Sequence, residues 1–156
     1  LEQLYTFGAV GRDPRGRIIS SAYYGLVRPK NNPVVGGSDA SRAQWFDIKA
    51  LPALAFDHAR IIRMGLERLR AKMSYAPVGF ELLPERFTLR QLQHLYEIVL
   101  GRELDKRNFR KKVLSMGILK ETSEIEKDVA HRAARLFRFD QRAYQRLTRQ
   151  GFLFEI

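Results

Sequence analysis

Apolar side chains recur along this chain first with the spacing of strands, then with that of helices, and the change of period predicts its organisation. Residues 4–9 and 17–27 are rich in β-branched and aromatic side chains and predict two strands. Between them, Asp13-Pro14-Arg15-Gly16 carries Asp, Pro and Gly at the first, second and fourth positions of a type I turn, where Pro presets φ. A β-hairpin is expected. In its second strand Ile18, Ala22, Tyr24 and Leu26 fall on one face and Ile19, Tyr23 and Val27 on the other, which predicts a central strand covered on both sides. Asn31-Asn32-Pro33 and Gly36-Gly37-Ser38-Asp39 predict a loop, and Gln44-Trp45-Phe46-Asp47-Ile48 a further short strand. A helix should follow, capped by Asp57. Ile62, Leu66, Leu69 and Met73 form its apolar stripe, and Arg60, Arg63 and Arg70 lie off that stripe on what reads as a solvated face.

Beyond the connector at 75–79 the texture changes. Thr88 with Gln91 three residues later is the signature of a capping box, and Leu89, Leu92, Leu95, Tyr96 and Val99 make the buried face of a helix that Gly101 stops. Asp105 caps another helix, with Phe109, Val113 and Met116 inward and Gly117 at its end. Helix, tight turn, helix is the result. Residues 118–122 and 135–139 then read as short strands bracketing a charged segment, 123–134, the pattern of a wing. Asp140 caps a last helix through Gln150, and residues 152–156 are expected to finish as a strand.

Composition narrows the partners. The chain of 156 residues carries 28 Lys and Arg against 17 Asp and Glu, a formal +11 that suits a polyanion. The excess is spread over both halves, so local clustering has to decide where a polyanion would sit. With no cysteine there is no disulfide and no thiolate metal site, and a reducing cytoplasm is the expected location. The three isolated histidines suggest no metal site, and no apolar run approaches the roughly 18 residues of a membrane span. The chain opens at Leu1 inside an apolar stretch and without Met, which leads us to expect a preceding segment.

The densest cluster of cations lies on the helix that starts after Asp105. Phe109, Val113 and Met116 gather on one side at 100° per residue, and Arg107, Asn108 and Lys111 point away from it, flanked by Lys106 and Arg110. Arg and Lys can pair with guanine and Asn with adenine, so this surface suits insertion in a DNA major groove. Lys106 and Arg110 are placed to meet phosphates. In the wing, Arg132 and Arg135 offer further phosphate contacts, which position a protein without reading sequence. Arg142, Arg146 and Arg149, along one face of the last helix, are equally a phosphate-binding stripe, a solvated stripe or an interdomain surface.

Arg102-Glu103-Leu104 has the Arg-Glu-apolar core of a Nudix box, but Lys106 and Arg107 stand where that box needs a Glu pair to hold a divalent metal. No catalytic or metal-binding residue is assigned on this ground, and no cofactor.

Asp13-Pro14-Arg15-Gly16-Arg17-Ile18-Ile19-Ser20, with Trp45-Phe46 and residues 51–58 (Leu-Pro-Ala-Leu-Ala-Phe-Asp-His), resembles the latter part of a Nudix domain of the ADP-ribose pyrophosphatase type. Residues 79–88 and 104–112 resemble the winged-helix half of the Nudix-related transcriptional regulators, the NrtR-like proteins. The resemblance implies a homodimeric, operator-binding bacterial regulator whose Nudix domain senses ADP-ribose or a related nucleotide, with Arg15 and Arg17 as ligand-side residues. Where the family's wing commonly reads Gly-Arg-Pro-Ala, this chain has His131-Arg132-Ala133-Ala134.

The expectation is an α+β chain. Residues 1–75 form the carboxyl-terminal part of a Nudix-like domain, a partial sheet with its helix. Residues 76–156 form a winged helix-turn-helix that binds double-stranded operator DNA through Lys106, Arg107, Asn108, Arg110, Lys111, Arg132 and Arg135. The alternatives are a Nudix hydrolase of the ADP-ribose pyrophosphatase type with an appended winged helix, and a nonspecific RNA-binding protein.

Overall fold

The computed structural model describes residues 1–28, 34–37, 41–127, 129–130 and 132–156. The expected loop residues Asn31-Asn32-Pro33 and Ser38-Asp39, and His131 of the expected wing, lie outside them. The chain is α+β and divides into two compact units, Leu1–Arg68 and Leu69–Ile156.

In the first unit β1 (Glu2–Phe7) pairs antiparallel with β2 (Ser20–Tyr24), Phe7 opposite Ser20 and Glu2 opposite Tyr24. The predicted turn is present: the Gly16 N–H donates to the Asp13 carbonyl at 3.4 Å, and Gly16 has φ +148°, backbone that a side chain would strain. The Asp13 carboxylate accepts the Arg15 backbone N–H at 2.9 Å, which locks the turn locally. Two expectations fail here. β2 is shorter than 17–27 and none of its residues is buried; Ile19, Tyr23 and Val27 are exposed, because the described residues supply only a two-stranded sheet with nothing laid over both its faces. Residues 44–48 form no strand, and Trp45, Phe46 and Ile48 are exposed; high β-propensity makes no strand without an edge to pair with.

α1 (His58–Tyr75) follows, and the boundary between the units falls inside it. Asp57 stands at its start, its carbonyl accepting the N–H groups of Arg60 and Ile61. Its carboxylate is taken by Arg12 in a two-point ion pair, Nε to Oδ2 at 2.9 Å and Nη2 to Oδ1 at 2.7 Å. Hydrogen bonding from Arg12 holds the Asp57 carboxyl below its ordinary pKa. The arginines off the apolar stripe are exposed, yet not all merely solvated. Arg60 lies 6.0 Å from the Phe7 ring centre, and the Arg70 Nε donates to the Val99 carbonyl at 2.9 Å.

In the second unit a 3₁₀ helix, Pro77–Leu82, leads to α2 (Leu89–Leu100), α3 (Lys106–Ser115), β3 (Leu119–Ile125), β4 (Arg135–Phe139) and α4 (Gln141–Arg149). The capping box is complete: Thr88 Oγ1 accepts the Gln91 N–H at 3.1 Å and Gln91 Oε1 accepts the Thr88 N–H at 2.8 Å. Gly101 ends α2 at φ +69°, a left-handed position where a Cβ would be strained. Asp105 caps α3 through the Asn108 N–H at 2.7 Å, and Asp140 caps α4 through the Ala143 N–H at 2.9 Å.

β3 and β4 are antiparallel, Leu119 opposite Phe139, and Phe87 joins β4 by two backbone bonds to Phe137 of 2.8 and 2.9 Å. The core of this unit is Met73, Phe80, Leu83, Phe87, Leu92, Tyr96, Phe109, Val113, Ile118 and Phe154, with Phe80 stacked on Phe139 at 4.5 Å. Each such large apolar side chain contributes ~1.5–3 kcal/mol by leaving water. The wing differs from expectation in extent, since β3 runs on to Ile125. The segment 152–156 is not a strand. Phe154 is buried instead, and the Ile156 N–H donates to the Ser74 carbonyl at 3.1 Å, so the chain end is held by packing and by a helix-end carbonyl, not by a sheet edge.

Candidate nucleic-acid interface

The turn between α2 and α3 is built from one carboxylate. Glu97 accepts the Gln93 amide at 2.9 Å and the Leu104 N–H at 3.1 Å, while the same Gln93 amide donates to the Leu104 carbonyl at 2.9 Å. The hydrogen bond from Gln93, then that from Leu104, holds the Glu97 carboxyl below its ordinary pKa. The turn is thereby fixed, and with it the pose of α3, whose Phe109 and Val113 are buried and whose Phe109 ring lies 5.9 Å from that of Tyr96.

Anchored on that side, α3 presents Lys106, Arg107, Asn108 and Lys111 to solvent, and Arg110 is half-buried. The structure then separates them. Lys106 and Arg110, one turn apart, turn into a groove between α2 and the wing whose other cationic walls are Arg90, Arg132 and Arg135, with a volume of about 530 Å³. Arg107, Asn108 and Lys111 are not part of this groove and stay on the open face of the helix. The Arg110 Nε is buried without a hydrogen-bond partner among the described residues. A neighbouring concavity of about 660 Å³ continues past Arg90, Lys106 and Arg110 to Gln91, His94 and Glu126.

Among the described residues the acids around this groove are largely committed. Glu121 is ion-paired to Arg135 and Glu124 to Arg86. The Glu126 carboxylate accepts the Ala134 N–H at 3.4 Å, and the Glu126 N–H donates to the Ala134 carbonyl at 2.8 Å, which closes the base of the wing. What remains is a concave surface of positive charge beside an exposed helix face with amide and guanidinium donors. Such a surface can neutralise a phosphate backbone while other side chains reach base edges. Arg90 was not anticipated. Its signal was slight, a cation at the second position of a capped helix, and only packing brings it to Lys106 and Arg110.

The two residues expected to face a ligand are in the first unit. Arg15 is paired with Asp13, Nη2 to Oδ2 at 2.7 Å, and its guanidinium sits 4.9 Å from the Phe56 ring centre. Hydrogen bonds from Arg15 hold the Asp13 carboxyl at a pKa of about 2. Arg17 is exposed. Neither lines the small concavity of this unit, about 240 Å³, which is formed around Tyr5, Phe7, Ala9, Asp57 and Arg60. No helix among the described residues is long and apolar enough to cross a membrane.

Residues 79–139 match the family described as the NrtR DNA-binding winged helix domain. The chain is 35% identical over 147 residues to the ADPR responsive transcriptional repressor NtrR of Acinetobacter baylyi, covering 92% of this chain and 58% of that protein. It thus spans little more than half the length of that relative. It is similar over 60 residues, at 38% identity, to the ADP-ribose pyrophosphatase of Methanocaldococcus jannaschii, of which it covers 34%. Among solved structures it superposes on Shewanella oneidensis NrtR complexed with a 27mer DNA at a TM-score of 0.72 and 31% identity, covering 98% of this chain and 67% of that one. A second crystal structure of Shewanella oneidensis NrtR gives a TM-score of 0.68 at 33% identity, over 88% of this chain and 63% of that one.

Proposed function

The chain belongs to the NrtR family, and on that premise we propose that it is a DNA-binding transcriptional repressor, acting as a homodimer in the cytoplasm and responsive to ADP-ribose or a related nucleotide. The observation that carries the reading is α3, exposed and basic, held by the Glu97-braced turn next to a cationic groove whose walls include the wing. Arg107, Asn108 and Lys111 reach base edges in the major groove of the operator. Lys106, Arg110, Arg132 and Arg135, with Arg90, hold phosphates. Residues 76–156 are the DNA-binding domain and residues 1–75 the portion that contributes to sensing, with Arg15 and Arg17 on the ligand side. The Acinetobacter baylyi relative, an ADPR responsive repressor by name, supports the effector class, and the 27mer complex of the Shewanella oneidensis protein supports duplex DNA. The hydrolase alternative rests on a shorter likeness, over 60 residues.

The test is binding to the duplex upstream of the protein's own neighbouring genes, with and without ADP-ribose, across a salt series. Specific binding should weaken as ADP-ribose is added, and log K should fall by ~0.9 per phosphate contact for each decade of salt. A flat salt dependence refutes a phosphate-seated mode, equal affinity for RNA and duplex DNA favours the nonspecific RNA-binding reading, and indifference to ADP-ribose removes the effector.

A further inference from the structure

Strand alternation sends neighbouring β4 side chains to opposite faces. Arg135 and Phe137 line the cationic groove, so Arg138 emerges from the reverse face of the wing sheet. Directly opposite Arg138 in the register is Lys120, and both are exposed. Like charges paired across strands destabilise a sheet, so this pair costs folding stability. The carboxylate close by is that of Asp140, committed to the Ala143 N–H at 2.9 Å; that bond, with smaller effects of Arg138 and Lys120, lowers its pKa. Next along the chain, α4 packs Ala143, Tyr144 and Leu147 inward and leaves Arg142, Arg146 and Arg149 exposed at intervals of four and three residues, one outward stripe. Among the described residues none of Lys120, Arg138, Arg142, Arg146 and Arg149 is in an ion pair.

We propose that Lys120 and Arg138 on the reverse face of the wing sheet, continued past Asp140 by the Arg142, Arg146 and Arg149 stripe of α4, form a second polyanion-binding surface that takes the phosphate backbone of a second duplex segment while α3 holds the operator. The inference goes beyond the operator reading and rests on it for what α3 does. Duplex DNA is favoured over an acidic protein partner because a protein interface needs an apolar centre, and among the described residues the one exposed large apolar side chain of β3, β4 and α4, Ile125, stands opposite Arg135 on the groove side. A separate segment is needed because the two faces of one sheet cannot meet the same stretch of straight duplex.

The experiment uses two labelled duplexes, a donor-bearing operator fragment and an acceptor-bearing random duplex, with energy transfer read as protein is added at saturating operator. Wild type should bring the two together. The combined variant Lys120→Thr, Arg138→Thr, Arg146→Gln should bridge ~tenfold more weakly, with a salt dependence of bridging lowered by ~2.7 in log–log slope for three lost contacts. Its affinity for the operator alone should stay within about twofold, because these residues lie off the groove. Its melting temperature should not fall, since a repulsive cross-strand pair has been removed. Wild type that holds only one duplex, a variant that bridges as well as wild type, or a variant that loses operator affinity and bridging in equal measure each overturns the second surface. Wild type that binds no operator at all overturns the proposed function as well, which separates the two failures.

Discussion

Replacing Tyr96 by Phe should stabilise the winged-helix unit. The side chain lies wholly within the core of that unit, its ring 5.9 Å from Phe109, and its hydroxyl is buried with no hydrogen-bond partner among the described residues. A hydroxyl withdrawn from water without a partner costs ~1–3 kcal/mol in proteins. The substitution removes one atom, and its lost dispersion contacts amount to only a few times ~0.1–0.2 kcal/mol. The net gain is therefore ~1 kcal/mol, which for a unit of this size corresponds to a rise of ~4–8 °C in Tm. Urea or thermal unfolding of wild type and Tyr96→Phe at neutral pH measures it. A second signature comes at alkaline pH, because burial pushes the Tyr96 hydroxyl above its ordinary pKa. The unfolded chain loses that proton near pH ~10 while the folded one retains it, so wild type should lose stability as pH rises past ~10. Tyr96→Phe should lose correspondingly less. A variant that is less stable by ~1 kcal/mol, with an unchanged alkaline slope, would mean the hydroxyl is satisfied and the reasoning about it is wrong.

Within α3, Arg107→Ala should cost ~1–3 kcal/mol on the operator and relax preference at one base pair, whereas Lys106→Ala should weaken operator and random duplex alike. Equal losses of Arg107→Ala on both duplexes, with the fold confirmed by circular dichroism, would show that α3 does not present Arg107 to a base. Gly79→Ala should destabilise the second unit by ~1–3 kcal/mol, since a Cβ there would stand 3.0 Å from Met73 Cε and 3.3 Å from Tyr96 Cε2; unchanged urea unfolding would show that Met73 simply moves aside. In the first unit, the Asp13 carboxyl is held at about 2 by Arg15, so its contribution to stability is present above pH ~4 and is lost as pH falls towards 2. Asp13→Asn should remove that part of the acid transition, and a wild-type carboxyl titrating at its ordinary value by NMR would refute it.

What could be read from the sequence was what a few neighbouring residues settle among themselves. The Asp13–Gly16 turn, the Thr88–Gln91 capping box, the caps at Asp105 and Asp140 and the stop at Gly101 each close within about one helical turn or one reverse turn, so identity and spacing carry the answer. The outward direction of Arg107, Asn108 and Lys111 followed in the same way from helical period once Phe109 and Val113 were placed inward. Tertiary structure decided whatever needed a distant partner. Asp57 looked like a simple cap, but Arg12, 45 residues earlier, takes its carboxylate. Residues 44–48 had the composition of a strand and β2 that of a covered one, yet a strand forms only where an edge is supplied and is covered only where a layer packs on it, and both come from elsewhere in the chain. The groove is the same case. Arg90, Lys106, Arg110, Arg132 and Arg135 come from two helices and a wing, and their convergence is set by how the Tyr96 and Phe109 core fixes those elements, which no local period records.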